Sequence, residues 1–293
     1  MILITGATGT NGTEIIKQLA AKGIAVRALV RSLEKGEALK AFGAELFEGD
    51  FSDSASLEAA LQGADKALML PPIAPNAVDL QRNFIEAAKK AGTSYIVKFS
   101  AIGAAPDSPM RLGRWHGDAE QLLAESGIAY CTLRPNGFMQ NFLAFGQLIA
   151  EQGLFAQPGG QSFISHIDVR DIAAAIVQTL LDDTAHAGKA YTLTGPESLS
   201  FDQVAENFSS VLGRSVQYVD QSPEEFKANM LAWGQPEWLA DTFNEMFALY
   251  RTGWGAEVTE DFTSITGREP RTFKQFIQDN RQVFEPNAVG AAV

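Results

Sequence analysis

The segment Met1-Ile-Leu-Ile-Thr-Gly-Ala-Thr-Gly-Thr-Asn-Gly12 constrains the fold of this chain more than any other. A short run rich in β-branched residues leads straight into Gly6, Gly9 and Gly12, and a helical pattern follows from Glu14-Ile15-Ile16 to Leu19-Ala20. A buried strand, a glycine turn and a helix N-terminus are the parts that hold a pyrophosphate, because free N–H groups and the positive end of the helix dipole converge there. Gly6 permits the tight turn out of the strand, Gly9 the approach of backbone to phosphate, and Gly12 close packing of helix on strand. Thr8, Thr10 and Asn11 lie in the same turn and join the expected dinucleotide contacts. The spacing is Gly-x-x-Gly-x-x-Gly rather than Gly-x-Gly-x-x-Gly; its position between strand and helix carries the reading.

The next strand, Ile24-Ala-Val-Arg-Ala-Leu-Val30, ends on Arg31-Ser32, with Lys35 a turn later. Dinucleotide folds selective for NAD place an acid at this strand end to bond the ribose 2′-hydroxyl. A guanidinium bonds a 2′-phosphate bidentately and stacks on adenine, so NADP(H) is expected in preference to NAD(H).

The alternation of strand and helix patterns continues. Strands are expected at Ile2–Thr5, Ala25–Val30, Glu45–Glu48, Lys66–Leu70, Tyr95–Phe99 and Ala129–Leu133, with helices near Thr13–Lys22, Leu33–Phe42, Ser54–Leu61, Ala77–Ala91 and Arg111–Ser126. This pattern predicts an α/β fold with a doubly wound parallel Rossmann-type sheet. Gly23, Gly43, Gly63, Gly92 and Gly127 fall where helices close. After Pro135 the alternation fails. Asn136–Gln152 is apolar and helical in pattern, and the chain beyond Ser222 is mostly helical, with Trp233, Trp238, Phe243, Phe247, Tyr250 and Trp254 crowded together. The expected division is a nucleotide-binding domain over 1–135, completed by 163–195, a smaller, mostly helical C-terminal lobe from 136–162 and 196–286, and a frayed tail at 287–293.

Ligands of such sheets lie at the carboxyl ends of the strands. Those ends carry Asp50 and Phe51 for adenine, Leu70, Pro71 and Pro72 beside the ribose and nicotinamide, Ser100, and Pro135 with Phe138. Asp50 serves equally as a helix cap, in competition with Ser52, Asp53 and Ser54. Asn136, Phe138, Met139 and Phe142, with Trp233 from the lobe, are expected to line the substrate cleft, and Met139 and Phe142 serve equally as helix core.

With 293 residues, 46% of them hydrophobic, the chain can bury a sizeable core. A net charge of −12 argues against nucleic acid and anionic membrane as partners. A lone Cys131 in an apolar segment fits a reducing compartment, and with no basic-flanked leader the expected location is cytoplasmic. His116, His166 and His186 lack metal-ligand spacing, so no metal is expected.

The chain resembles the NmrA-like branch of the atypical short-chain dehydrogenase/reductases. The matching segments are Ile4 to Gly12, Val97-Lys-Phe-Ser-Ala-Ile-Gly-Ala104, Trp115-His-Gly-Asp-Ala-Glu120, Leu133-Arg-Pro-Asn-Gly-Phe-Met-Gln-Asn-Phe142, Ile167-Asp-Val-Arg-Asp-Ile-Ala173, Leu193-Thr-Gly-Pro-Glu197 and Gly267-Arg-Glu-Pro-Arg-Thr-Phe273. The branch includes quinone oxidoreductases, triphenylmethane dye reductases and festuclavine/agroclavine dehydrogenases, so the resemblance implies hydride transfer from NADPH to a small molecule. Classical members carry Tyr-x-x-x-Lys after the fifth strand; here that register falls on Leu112 and His116, while Ser100 keeps the family's serine position. Without the tyrosine acid, the expected acceptor is planar and conjugated: a quinone, an iminium or a dye. His116 is open to three readings: cofactor ribose holder, proton donor, or structural helix histidine. The rival function is a non-catalytic NADP(H)-sensing regulator that contacts a partner protein.

Overall fold

The computed structural model describes residues 1–286; the tail expected at 287–293 lies outside them. The strands are β1 (Ile2–Ile4), β2 (Val26–Val30), β3 (Glu45–Glu48), β4 (Lys66–Met69), β5 (Tyr95–Phe99), β6 (Ala129–Pro135), β7 (Leu154–Gln157), β8 (Phe163–Ile164), β9 (Ala190–Leu193), β10 (Leu199–Ser200) and β11 (Gln217–Asp220). Seven of them form one parallel sheet in the order β3-β2-β1-β4-β5-β6-β9. Beside it stand two small pairs, β8 with β10 and β7 with β11. The order reverses at β1, which has β2 on one side and β4 on the other, and a crevice opens there at the carboxyl edge.

The helices are α1 (Thr10–Ala21), α2 (Leu33–Gly36), α3 (Ser54–Leu61), α4 (Ala77–Ala91), α5 (Arg111–Glu125), α6 (Gly146–Gln152), α7 (Val169–Leu181), α8 (Asp183–His186), α9 (Phe201–Leu212), α10 (Pro223–Ala232), α11 (Glu237–Tyr250), α12 (Asp261–Thr266) and α13 (Phe273–Asp279). Apolar clusters cover both sheet faces. Ile15, Ile16 and Leu19 of α1 meet Ile172 and Ile176 of α7 on one face; Leu57 and Leu61 of α3 meet Phe84 and Ile85 of α4 on the other.

A separate aromatic core fills the lobe. The Phe142 ring lies 5.0 Å from Phe273, 5.3 Å from His166 and 5.4 Å from Phe155. The helix expected across Asn136–Gln152 is instead a 3-10 stretch, Met139–Phe145, followed by α6. A 3-10 helix repeats every three residues, so Met139, Phe142 and Phe145 all turn into this core, and each is buried. Similarly, the helix expected over Leu33–Phe42 becomes 3-10 from Glu37.

The lobe is fastened to the sheet by polar ties. Glu245 of α11 accepts from the Arg111 N–H at 2.9 Å and from its Nε at 2.8 Å. The fully buried Asp171 carboxylate accepts from Arg268, from the Arg271 backbone N–H and from the Arg271 guanidinium, holding the C-terminal segment on α7. Among the described residues no helix is long and apolar enough to cross a membrane, and no cluster of three or more His, Cys, Asp or Glu could hold a metal ion.

Candidate active site

The turn between β1 and α1 has the shape its glycines require. Gly6 has φ +61°, and its carbonyl accepts from the Gly9 N–H at 3.1 Å. A Cβ on Gly12 would lie 2.2 Å from the Gly6 carbonyl oxygen, so helix and turn touch through backbone. A Cβ on Gly9 would meet only that carbonyl, at 3.4 Å, so the space over this residue is open. The Thr5 hydroxyl donates to the Leu68 carbonyl and accepts from the Leu70 N–H, binding the turn to the β4 loop. The Asn11 Oδ1 is buried with no partner among the described residues. The N-terminal N–H groups of α1 and a backbone-lined floor fit a dinucleotide pyrophosphate.

From this turn a groove of about 290 Å³ runs over the ends of β2 and β3, lined by Gly9, Arg31, Asp50, Phe51, Leu70 and Pro71 among others. Arg31 is exposed and pairs with no carboxylate among the described residues. The Ser52 hydroxyl and N–H both donate to the Asp50 carboxylate, and together with the nearby Arg31 charge they hold its pKa below the usual range. Asp53, not Asp50, caps α3, accepting from Ala55 and Ser56. Phe51 faces the groove from beneath while stacking on Phe84 at 5.4 Å. Ser32 begins α2 as its N-cap residue without a side-chain cap bond. On the other side of Gly9 a second hollow of about 370 Å³ is lined by Thr8, Thr10, Thr13 and Gln140.

Gln140 also stands at one end of a larger cleft in the lobe, about 740 Å³, between the Met139–Gln152 segment and helices α10 and α11. Its apolar lining includes Phe145, Met230, Trp233, Phe243 and Phe247. Of the residues expected to line the substrate cleft, Trp233 alone borders this one; it is 67% exposed. Met139 and Phe142 are core, and Phe138 packs edge-on against Phe99 at 6.2 Å. Asn136 is buried and fully occupied. Its Nδ2 donates to the Ser165 hydroxyl and the Gly255 carbonyl, and its Oδ1 accepts from the Gly137 N–H and the Tyr250 hydroxyl. Asn136→Leu is therefore expected to lower thermal stability, at about 1–3 kcal/mol for each buried group left unpaired. Cofactor affinity should change by less than about threefold, a free-energy change under 1 kcal/mol. Calorimetry and a binding titration check the pair of outcomes.

A buried polar cluster lies under the ends of β5 and β6. Lys98 and Ser100 point to the α4–α5 face, opposite Tyr95, Val97 and Phe99, as strand alternation demands. Lys98 is fully buried and donates to Gln81 Oε1 at 2.7 Å; its Nζ lies 3.1 Å from His116 Nδ1. Burial pushes the Lys98 pKa down to about 7, against the opposing pull of Glu120, with Arg134 adding to the drop. Burial and the Lys98 charge hold His116 well below its ordinary pKa, so its imidazole is neutral at pH 7. The Ser100 hydroxyl donates to Glu120 Oε1 at 2.5 Å, so its proton is committed. Glu120 also takes a two-nitrogen grip from Arg134. The sequence reading missed Lys98, Gln81, Glu120 and Arg134 as members of a site. The signal available was a lysine at alternate register to apolar strand residues, two places before Ser100.

A doubly wound sheet with a glycine turn at its switch point, a basic residue at the end of β2 and an apolar cleft alongside defines a Rossmann-type nucleotide-binding protein. The sequence profile of the NmrA-like family matches residues 1–277, and the chain belongs to that family. It is 41% identical over 284 residues to the NAD(P)H azoreductase of Xenophilus azovorans, covering 97% of this chain and 99% of that one. It is 34% identical over 244 residues to quinone oxidoreductase 2 of Escherichia coli, covering 82% of this chain and 85% of that one. The crystal structure of an NADPH-dependent quinone oxidoreductase from Escherichia coli complexed with NADPH superposes with a TM-score of 0.86 at 30% identity, covering 96% of this chain and all of that one. The chain is an oxidoreductase of this family.

Proposed function

We propose that the protein is an NADPH-dependent reductase that delivers hydride to a planar, conjugated small molecule, such as a quinone or a dye-like acceptor. The observation that carries this reading is the open glycine turn continuous with a groove whose exposed cation, Arg31, forms no salt bridge among the described residues. The names of the azoreductase and quinone oxidoreductase relatives support both halves of it.

NADPH, when bound, supplies the hydride; the chain binds, orients and shields it. Gly6, Gly9 and Gly12 with Thr8 and Thr10 hold the pyrophosphate, Arg31 and Ser32 the 2′-phosphate, Asp50 and Phe51 the adenine side, and Leu70, Pro71 and Pro72 the ribose side. The apolar cleft beside Gln140 takes the acceptor, with Trp233 at its edge. Leu112, at the register of the classical tyrosine, has no proton to give, and Ser100 has spent its own on Glu120. Acceptors that spread the incoming electron pair over a conjugated system make the smallest demand on an acid.

The test is steady NADPH oxidation against a panel of benzo- and naphthoquinones, azo dyes and aliphatic ketones. Turnover with the conjugated acceptors and none with the ketones is expected. Tight NADPH binding with no turnover of any acceptor would instead place the chain with the dinucleotide sensors. Trp233→Ala is expected to raise the acceptor KM several-fold without changing the NADPH Kd. An unchanged acceptor KM would remove the lobe cleft from the site.

A further inference from the structure

Lys98 is a side chain for which a purely structural account fails. It is fully buried in a central strand, and neither atom it bonds belongs to a carboxylate. A lysine wanted only for packing would be replaced by an apolar residue at no desolvation cost. Its surroundings are fixed on every side. Gln81 faces it from α4, His116 and Glu120 from α5, and Arg134 from β6, while Met69 and Thr132 stand in register on the neighbouring strands. Glu120, the nearest acid, is occupied by Arg134 and Ser100.

The contact with His116 has a definite consequence. Below about pH 7, where Lys98 is an ammonium that can only donate, His116 Nδ1 accepts and the ring proton sits on Nε2. Nε2 makes no bond to any described residue, and the ring is half-buried. The helix α5 descends from the carboxyl edge of the sheet, and His116 lies about 7.5 Å below its first residue at 1.5 Å per residue. The free N–H is therefore within two turns of the edge where the crevice opens.

We propose that Lys98 and His116 take the place of the missing Tyr–Lys pair: Lys98 is a positioning residue that holds His116 in the Nε2–H tautomer, and His116 presents that proton to the acceptor atom that gains the electron pair. This rests on the reductase reading above. The step balances as follows. Hydride from NADPH adds to the acceptor and leaves an anion on its oxygen or nitrogen. The Nε2–H bond breaks as a new O–H or N–H bond forms. Nδ1 takes a proton from Lys98 Nζ, leaving a neutral amine and a neutral imidazole protonated on Nδ1. Solvent protonation of Nε2 and return of the Nδ1 proton to Lys98 restore the start. A pKa of about 7 on Lys98 suits such a donor, since efficiency is greatest when the pKa lies near the working pH.

The experiment has two readouts, on wild type and Lys98→Met. Nitrogen NMR of the imidazole in the protein without cofactor is expected to show the Nε2–H tautomer in wild type. In Lys98→Met the tautomers should mix, with His116 protonating at higher pH because a like charge is gone. For turnover, wild-type kcat with a quinone is expected to be flat below about pH 7 and to fall as Lys98 loses its proton. Lys98→Met should lose about 10–100-fold in kcat and show no such fall, with NADPH affinity unchanged. Wild-type His116 in the Nδ1–H tautomer, or a Lys98→Met variant with the wild-type kcat and pH profile, would overturn the proposal. A wild-type protein that binds NADPH but reduces nothing would overturn the reductase reading instead, and the two failures are told apart by the wild-type assay.

Discussion

Gly9→Val is expected to remove dinucleotide binding while leaving the protein folded. The added Cβ meets nothing closer than the Gly6 carbonyl at 3.4 Å, an ordinary contact, so the turn has room for it. The space that valine fills is the approach to the N-terminal N–H groups of α1, where a phosphate must come within hydrogen-bond distance. Several charge-assisted bonds are lost together, each worth about 1.5–3 kcal/mol. The affinity loss should therefore exceed about a hundredfold, or some 2.7 kcal/mol. Nicotinamide fluorescence titration and a melting curve measure the two quantities. Gly12→Val is the contrasting control: its Cβ would lie 2.2 Å from the Gly6 oxygen, so it should cost stability as well as binding. A folded Gly9→Val protein with wild-type affinity would end the assignment of this turn.

Arg31→Asp should separate the two cofactors. The substitution removes a guanidinium from the groove and puts a second carboxylate near Asp50. NADPH loses its 2′-phosphate partner and meets repulsion; NADH gains an acid suited to a 2′-hydroxyl. NADPH affinity is expected to fall about a hundredfold, near 2.7 kcal/mol, and NADH affinity to stay within about threefold. The contrast should shrink at high salt because the groove is open to solvent. Equal losses for both cofactors would make Arg31 an ordinary surface cation.

The body of the fold was legible because its signals are local. Strand runs of β-branched residues and helix-closing glycines are read within a dozen residues, and Gly23, Gly43, Gly63, Gly92 and Gly127 all adopt the left-handed conformation that ends a helix. The groove proposed for the cofactor is read from the same local signals, since each strand end names its own loop. What escaped depends on partners far away in sequence. Met139 and Phe142 could have lined a cleft or a core, and the choice was made by Phe155, Phe201, Phe208 and Phe273, which supply that core from β7, α9 and α13. The pairing of β7 with β11 joins segments with three strands, β8 to β10, and three helices, α7 to α9, between them. Lys98 carries no site signal of its own in the sequence, because its partners Gln81 and His116 come from α4 and α5. Asn136 reads as a cleft residue because it follows the end of the sixth strand; its bonds to Ser165, Tyr250 and Gly255 come from later parts of the chain.

The position of β9 bears on how this molecule is born. Ala190–Leu193 closes the sheet by pairing with β6, and α7, which covers α1, also follows the first lobe segment. A nascent chain that has just emerged through Pro135 therefore carries an open strand edge and an uncovered apolar helix face. Both are sites where chains stick to one another. The seven-stranded sheet is thus no detachable module: its integrity waits on residues synthesised after part of the lobe. Shortened versions or fusions that break between β6 and β9 should be handled by chaperones and proteases rather than accumulate as a small, working cofactor binder.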